Sequence, residues 1–300
     1  MSALDWSREG LIWPHRAASQ FVPVGAARWH VQRMGSGHRD KGPLLLLRGT
    51  GASVHSWRSL MPLLAERHDV IAMDLPRHAF TTGHDAYAMS LPAMAREVAR
   101  LMEALAVTPA AIIGHSAGAA IALQLALDHA HTEPIIGLSA ALRPFPGALA
   151  QIFPAIAKTL FVNPLVPRIF TGSIDLVGGA EKFLWRSTHS RIDREGLACY
   201  ARLLKHPGHA GGALAMMANW DLPALRERMG AVTNPVLLLH GANDPAIPPD
   251  WARDAAGWLP NARLELLPGL GHLAHEEAPE LAASHIAAFL AGADAGEAQR

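Results

Sequence analysis

The stretch Ala110–Ala120 constrains this chain more than any other. It reads Ala-Ala-Ile-Ile-Gly-His-Ser-Ala-Gly-Ala-Ala, an apolar run ending at a serine with Gly114 and Gly118 two residues to either side. A serine held on a tight strand-to-helix turn has strained backbone angles, and side chains at the two glycine positions would run into the adjoining strand and helix. Val107–Ile113 predicts a short buried strand before the turn, and the Ala- and Leu-rich Ala119–His129 predicts a helix after it. That order lifts the Ser116 hydroxyl above a sheet and leaves the Ala117 N–H at a helix start, where negative charge is stabilised. An ordinary Gly-Ser turn would satisfy the five residues alone. The flanking elements favour a serine nucleophile with half of an oxyanion hole.

Other aliphatic runs repeat the strand pattern. Ser19–Val24 and Ala27–Arg33 predict an antiparallel pair around Gly25, followed by strands at Pro43–Leu47, Asp69–Met73, Pro134–Leu138, Pro235–His240 and Arg263–Leu267. Val54–Glu66, Leu91–Leu105 and Pro279–Leu290 carry helical spacing, and Ala291–Arg300 reads as a frayed tail. The alternation predicts an α/β fold, a mostly parallel sheet with helices on both faces. From Arg143 to Met229 the rhythm breaks into prolines and apolar helical pieces around Leu149–Leu160 and Leu197–Leu204. We therefore expect a core of residues 1–142 and 230–300 with a helical cap, 143–229, inserted in it. Most apolar residues of the cap would form its own small core, while Phe153 and Phe161 are candidates to line a pocket.

Two loops downstream of Ser116 each follow a predicted strand and carry one chemically suitable side chain, Asp244 and then His272. A serine hydroxyl is a poor nucleophile until a histidine accepts its proton, and a carboxylate must fix that histidine's tautomer and stabilise its cation. Asp244 before Pro245 also suits a plain turn, and His275 competes with His272. Asp250 and Glu276-Glu277 read as solvated helix-start charges. The loop Arg48-Gly49-Thr50-Gly51 ends a central strand, so the Thr50 and Gly51 N–H groups are candidates to complete the oxyanion hole. Arg48, Trp57 and His115 are assigned to the substrate pocket, His115 as a wall or packing residue rather than the base. His206-x-x-His209 and His272-x-x-His275 have helix-compatible spacing, but no Cys pair or His-Glu-x-x-His accompanies them, so we assign no metal and no cofactor.

Composition narrows the partners. Basic and acidic residues balance at 26 each, which leaves no net field to recommend nucleic acid or an anionic membrane. A single cysteine, Cys199, rules out an internal disulfide and fits a cytoplasmic protein with a buried thiol. Met1–Gly10 lacks a basic-then-apolar signal layout, and no uncharged apolar run reaches the roughly 18 residues of a membrane span. The expected partner is an apolar small molecule, with peripheral membrane contact through the greasy cap left open.

Gly49-Thr50-Gly51, Asp74-Leu75-Pro76, Gly114-His-Ser-Ala-Gly118, Gly241-Ala-Asn-Asp244 and Gly271-His272 together resemble the α/β-hydrolase superfamily over residues 21–290. Trp13-Pro14, Ala17-Ala18-Ser19, Trp29-His30-Val31, His55-Ser56-Trp57 and His78-Ala79-Phe80-Thr81 resemble, more narrowly, the magnesium-chelatase accessory hydrolases of bacteriochlorophyll biosynthesis. The resemblance implies a serine hydrolase acting on an ester or related acyl bond near tetrapyrroles. It also leaves open a non-catalytic tetrapyrrole-binding factor associated with magnesium chelatase, a cofactor-free C–C hydrolase or a perhydrolase. The elbow serine argues against haloalkane dehalogenase and epoxide hydrolase chemistry, which places an aspartate there. Two departures stand out: Arg48 where the family has His, and Arg77 where it has Gly. Arg48 either meets an anionic partner or points away from the site.

Overall fold

The computed structural model describes residues 3–35, 42–129, 131–143 and 165–297. Eight strands, β1 (Ser19–Val24), β2 (Ala27–Met34), β3 (Leu44–Leu47), β4 (Val70–Met73), β5 (Ala111–His115), β6 (Ile135–Leu138), β7 (Val236–Gly241) and β8 (Ala262–Leu267), form one sheet. Their order is β1-β2-β4-β3-β5-β6-β7-β8, with β1 and β2 antiparallel and the rest parallel. Among the described residues the α-helices are α1 (Trp6–Glu9), α2 (Leu60–Ala65), α3 (Leu91–Leu105), α4 (Ala117–His129), α5 (Leu165–Ser173), α6 (Gly179–Thr188), α7 (Arg194–Leu204), α8 (Pro207–Ala218), α9 (Leu222–Arg228), α10 (Pro249–Trp258), α11 (Ala274–Glu277) and α12 (Pro279–Glu297).

The four leucines of β3 show why an unbroken apolar run makes a central strand. Side chains alternate between faces, so Leu45 and Leu47 enter one apolar cluster with Met94, Val98 and Ile121, while Leu44 and Leu46 enter the other with Trp57, Met61 and Ile286. After β3 the chain places β4 on one side and β5 on the other, so strand order reverses between β3 and β5. The carboxyl ends of those two strands open the crevice where a sheet of this kind binds its ligand. Leu47 lies opposite Gly114 in the register. Helix α4 then passes so near β3 that a Cβ at Gly118 would overlap the Leu47 carbonyl oxygen, and one at Gly114 would overlap the backbone of Gly118 and Ala119.

Three elements differ from the sequence expectation. Val54–Glu66 is a tight turn, Val54–Trp57, followed by α2. Pro62 cannot donate to the Arg58 carbonyl four residues back, and that carbonyl instead accepts from His15 Nε2–H at 2.7 Å. The elbow strand begins at Ala111, because Ala106 ends α3 in the left-handed conformation and Val107 N–H turns back to the Met102 carbonyl. The expected tail continues α12 as far as Glu297, carried by the strong helix propensity of its alanines.

Between β6 and β7 every described element is helical, α5 to α9 and a short turn at Met229–Ala231; α5 packs on α8 and α6 on α7. Among the described residues no helix is long and apolar enough to cross a membrane. Replacing Gly118 with Ala forces β3 and α4 apart and is expected to cost about 3 kcal/mol or more, the upper range for overpacking, read as a lower urea midpoint.

Candidate active site

Ser116 sits at φ 51°, the left-handed region a side chain adopts only when its surroundings hold it there. Strand β6 and the loop after it do the holding. Ser116 N–H donates to the Leu138 carbonyl at 2.9 Å, and the Ser116 carbonyl accepts from Ala119 and Ala141 N–H, each at 3.1 Å. Gly49 lets the loop after β3 close on the elbow, since a Cβ there would lie 2.8 Å from His115 Nδ1 and 3.0 Å from Ser116 Cβ. That loop is a turn closed by Ala52 N–H to the Gly49 carbonyl at 3.4 Å, with Gly51 at φ 76° in the position that requires left-handed backbone. The N–H groups of Ala117, Thr50 and Gly51 make no hydrogen bond among the described residues.

Asp244 and His272 meet directly. His272 Nδ1–H donates to Asp244 Oδ2 at 2.7 Å, and Asp244 Oδ1 accepts from Ala246 and Ile247 N–H at 2.8 and 2.9 Å. Placing the ring proton on Nδ1 leaves Nε2 with its lone pair and with no hydrogen bond among the described residues. No hydrogen bond joins Ser116 Oγ to His272 here. Three contacts that local sequence did not reveal hold the His272 backbone: His272 N–H to the Thr188 carbonyl at 2.8 Å, Leu273 N–H to Ser190 Oγ at 2.9 Å, and Gly271 N–H to Glu277 Oε2 at 2.8 Å. His115 adds a fourth, donating from Nε2–H to the His272 carbonyl at 3.1 Å, so its part is packing and support.

His275, the competing base, is differently placed. It is buried without a carboxylate partner, and its Nε2–H donates to Ser56 Oγ at 3.1 Å. The expectation of solvated charges at Glu276-Glu277 is overturned at Glu276, while Glu277 is half-buried and accepts from Arg191 and Gly271 N–H. Glu276 is buried, accepting from Ser56 Oγ–H at 2.6 Å and Tyr200 O–H at 2.7 Å while ion-paired with Arg58. Arg58 also reaches Asp193, so one guanidinium ties α7 to α11, directly after His272. Burial pushes the Glu276 carboxyl above its ordinary range and Arg58 offsets part of that rise. These partners lie 135 and 218 residues from Arg58 in the chain, so no sequence window contains them. Asp250 is exposed and pairs with Arg253.

The pocket assignments change most. Trp57 is fully buried, its ring tilted 44° to that of His275, because it faces the sheet from a tight turn, so it serves the core and is not exposed to a pocket. Arg48 is also fully buried, turned inward with Nη1–H on the Gly49 carbonyl at 2.7 Å and Nε 4.0 Å from Asp74 Oδ1, so it borders no solvent-accessible pocket. Asp74 in turn accepts from His30 Nδ1–H at 2.7 Å and Val54 N–H at 2.9 Å. Desolvation brings Arg48 down to about 10, with Asp74 opposing the shift. Arg77 takes the left-handed backbone, φ 59°, that glycine would reach without strain. Phe153 and Phe161 lie outside the described residues.

Five buried histidines, His55, His78, His115, His209 and His275, have pKa values depressed below 6.5, first by burial and then by neighbouring charges, to about 3 for His209 and His275. Above pH 6.5 neither the folded nor the unfolded chain charges them; below it the unfolded chain binds protons the folded one refuses. Stability is therefore expected to be full above pH 6.5 and to fall toward pH 4, by as much as about 1.4 kcal/mol per pH unit for each histidine, read from urea midpoints across pH.

Comparison with known proteins agrees with this geometry. The model of the alpha/beta hydrolase family matches residues 44–284. The chain is 41% identical to the magnesium-chelatase 30 kDa subunit of Rhodobacter capsulatus over 93% of this chain and 97% of that protein. It is 27% identical to an uncharacterized hydrolase of Bacillus subtilis (strain 168), covering 82% and 89% of the two chains. The solved structure of epoxide hydrolase CorEH superposes with a TM-score of 0.74 at 24% identity, over 91% of this chain and 98% of that one, a likeness of fold. A serine elbow at the reversal of strand order, a His–Asp pair at the next strand ends and a family model spanning the sheet from β3 onward converge: the chain belongs to the α/β hydrolase family.

Proposed function

We propose that the chain is a serine hydrolase cleaving an ester or related acyl bond of an apolar substrate. The observation that carries this reading is the His272–Asp244 bond at 2.7 Å, which leaves Nε2 free to accept a proton in the crevice where the elbow stands. In the proposed reaction Ser116 Oγ attacks the acyl carbon while its proton passes to His272 Nε2. Asp244 stabilises the imidazolium, and the N–H groups of Ala117 and of Thr50 or Gly51 receive the oxyanion. His272 then returns the proton to the departing alcohol, and water, deprotonated by the same ring, releases the acid. The lack of a Ser116 Oγ–His272 hydrogen bond is compatible with this, since catalytic hydrogen bonds often tighten only when substrate is bound. The helices between β6 and β7 act in this reading as a cap over the crevice.

The likeness to a magnesium-chelatase subunit favours a second reading. In it the chain associates with a magnesium chelatase and binds a tetrapyrrole beneath the cap without turning it over. Titration with protoporphyrin, followed by its Soret band, separates the two: binding unchanged by Ser116→Ala, with no ester turnover by the native chain, selects the binding role.

The hydrolase reading is checked by intact-mass labelling with a fluorophosphonate. One adduct is expected on the native chain and none on Ser116→Ala, and an adduct that survives the substitution overturns the assignment. Asp244→Asn is expected to lower kcat by roughly 10³- to 10⁴-fold, because the histidine loses the tautomer that accepts the serine proton.

A further inference from the structure

Helix α8 meets the loop after β3 along one face. His209, Gly212 and Met216 stand at positions i, i+3 and i+7. His209 Nε2–H donates to the Gly51 carbonyl at 3.0 Å, and its Nδ1 accepts from Ala79 N–H at 3.0 Å. A Cβ at Gly212 would overlap the Arg77 carbonyl oxygen, so the helix backbone rests on the loop after β4. Thr50 Oγ1–H donates to Met216 Sδ at 3.4 Å.

The loop that α8 touches has little of its own to hold it. Glycine stands on both sides of Thr50, and nothing lies within 4 Å of where a Gly51 side chain would begin. Glycine lacks the steric limits that would otherwise restrict its two dihedrals. The Gly49 carbonyl is secured twice, by Ala52 N–H and by Arg48 Nη1–H. The Gly51 carbonyl has His209. Because each peptide unit is planar, the Gly49 carbonyl fixes the plane that carries Thr50 N–H and the Gly51 carbonyl fixes the plane that carries Ala52 N–H, so the Thr50–Gly51 unit, which carries Gly51 N–H, spans two anchored planes.

We propose that His209 is a positioning residue that holds the Thr50 and Gly51 N–H groups toward Ser116, so that docking of α8 assembles the oxyanion hole. This rests on the reading of Ser116 as nucleophile. The two hydrogen bonds demand a neutral ring with its proton on Nε2, because a proton on Nδ1 would face the Ala79 N–H. Burial, assisted by the Arg48 charge, holds the His209 pKa at about 3, so the link persists throughout the neutral range.

Two substitutions divide the ring's roles. His209→Gln offers an N–H near the Nε2 position and keeps the bond to Gly51; His209→Asn offers an acceptor near the Nδ1 position and keeps only the bond to Ala79. In His209→Asn, amide exchange at Ala52, the loop N–H that bonds to the Gly49 carbonyl, is expected to rise roughly tenfold or more, and kcat for an ester substrate to fall about 100-fold with KM little changed, as for loss of an oxyanion donor. His209→Gln is expected to restore both. Exchange in the Asn variant equal to that of the native chain, or a Gln variant as impaired as the Asn variant, overturns the proposal. Nitrogen NMR of the unsubstituted protein gives an answer even where a variant does not fold: Nε2–H with bare Nδ1 from pH 5 to 9 supports it, and any other tautomer overturns it. A native chain that fluorophosphonate fails to label refutes the Ser116 reading, while exchange and NMR still decide whether His209 orders the loop.

Discussion

The closeness of α4 to β3 is the constraint on which the rest of the structure depends. With no side chain at Gly118, the helix lies against the Leu47 carbonyl, and with none at Gly114 the elbow folds back on its own helix. That approach forces Ser116 to φ 51°, where two bonds to its carbonyl and one from its N–H hold it. It also sets the loop after β3 beside the elbow, with Gly49 as the residue small enough to pass His115. Serine, candidate oxyanion donors and the reversal of strand order thus coincide for one geometric reason.

The Asp244–His272 pair, the candidate acid–base side, is positioned in another way. Asp244 and His272 stand on loops after β7 and β8, and beside His272 the side chains of Leu270 and Leu273 pack into apolar clusters. The backbone direction is set by hydrogen bonds, with Thr188, Ser190 and Glu277 accepting from loop N–H groups and His115 donating to the His272 carbonyl. Behind them the Arg58–Glu276 pair and its partners Ser56, Tyr200 and Asp193 join the helical segment to the core. Burying such charges is costly unless every polar group finds a partner.

Histidine chemistry follows from the same burial. A ring enclosed among apolar and cationic groups remains neutral, so His209 and His275 act as directional hydrogen-bonding groups rather than charges. His272 differs in having a carboxylate on Nδ1 and an unoccupied Nε2. Ring position relative to a carboxylate separates the candidate base from its neighbours, and position in the sequence does not.

The sheet, the elbow and the loops that bear Ser116, Asp244 and His272 are legible in the order of residues alone. Those features depend on short-range rules: side chains alternate along Leu44–Leu47, glycine is required where backbones nearly touch, and functional side chains fall just beyond strand ends. The inward turn of Arg48, the burial of Trp57, the buried ion pair of Glu276 and the bond of His209 to Gly51 arise from packing between distant segments. Each depends on which atoms occupy the space around one side chain, and those atoms come from segments far apart in the chain. His209 and Gly51 are separated by 158 residues, and neither carries a local mark of the other. Periodicity and turn chemistry are written in neighbouring residues, whereas the partner of a buried polar group is fixed only when the chain has packed.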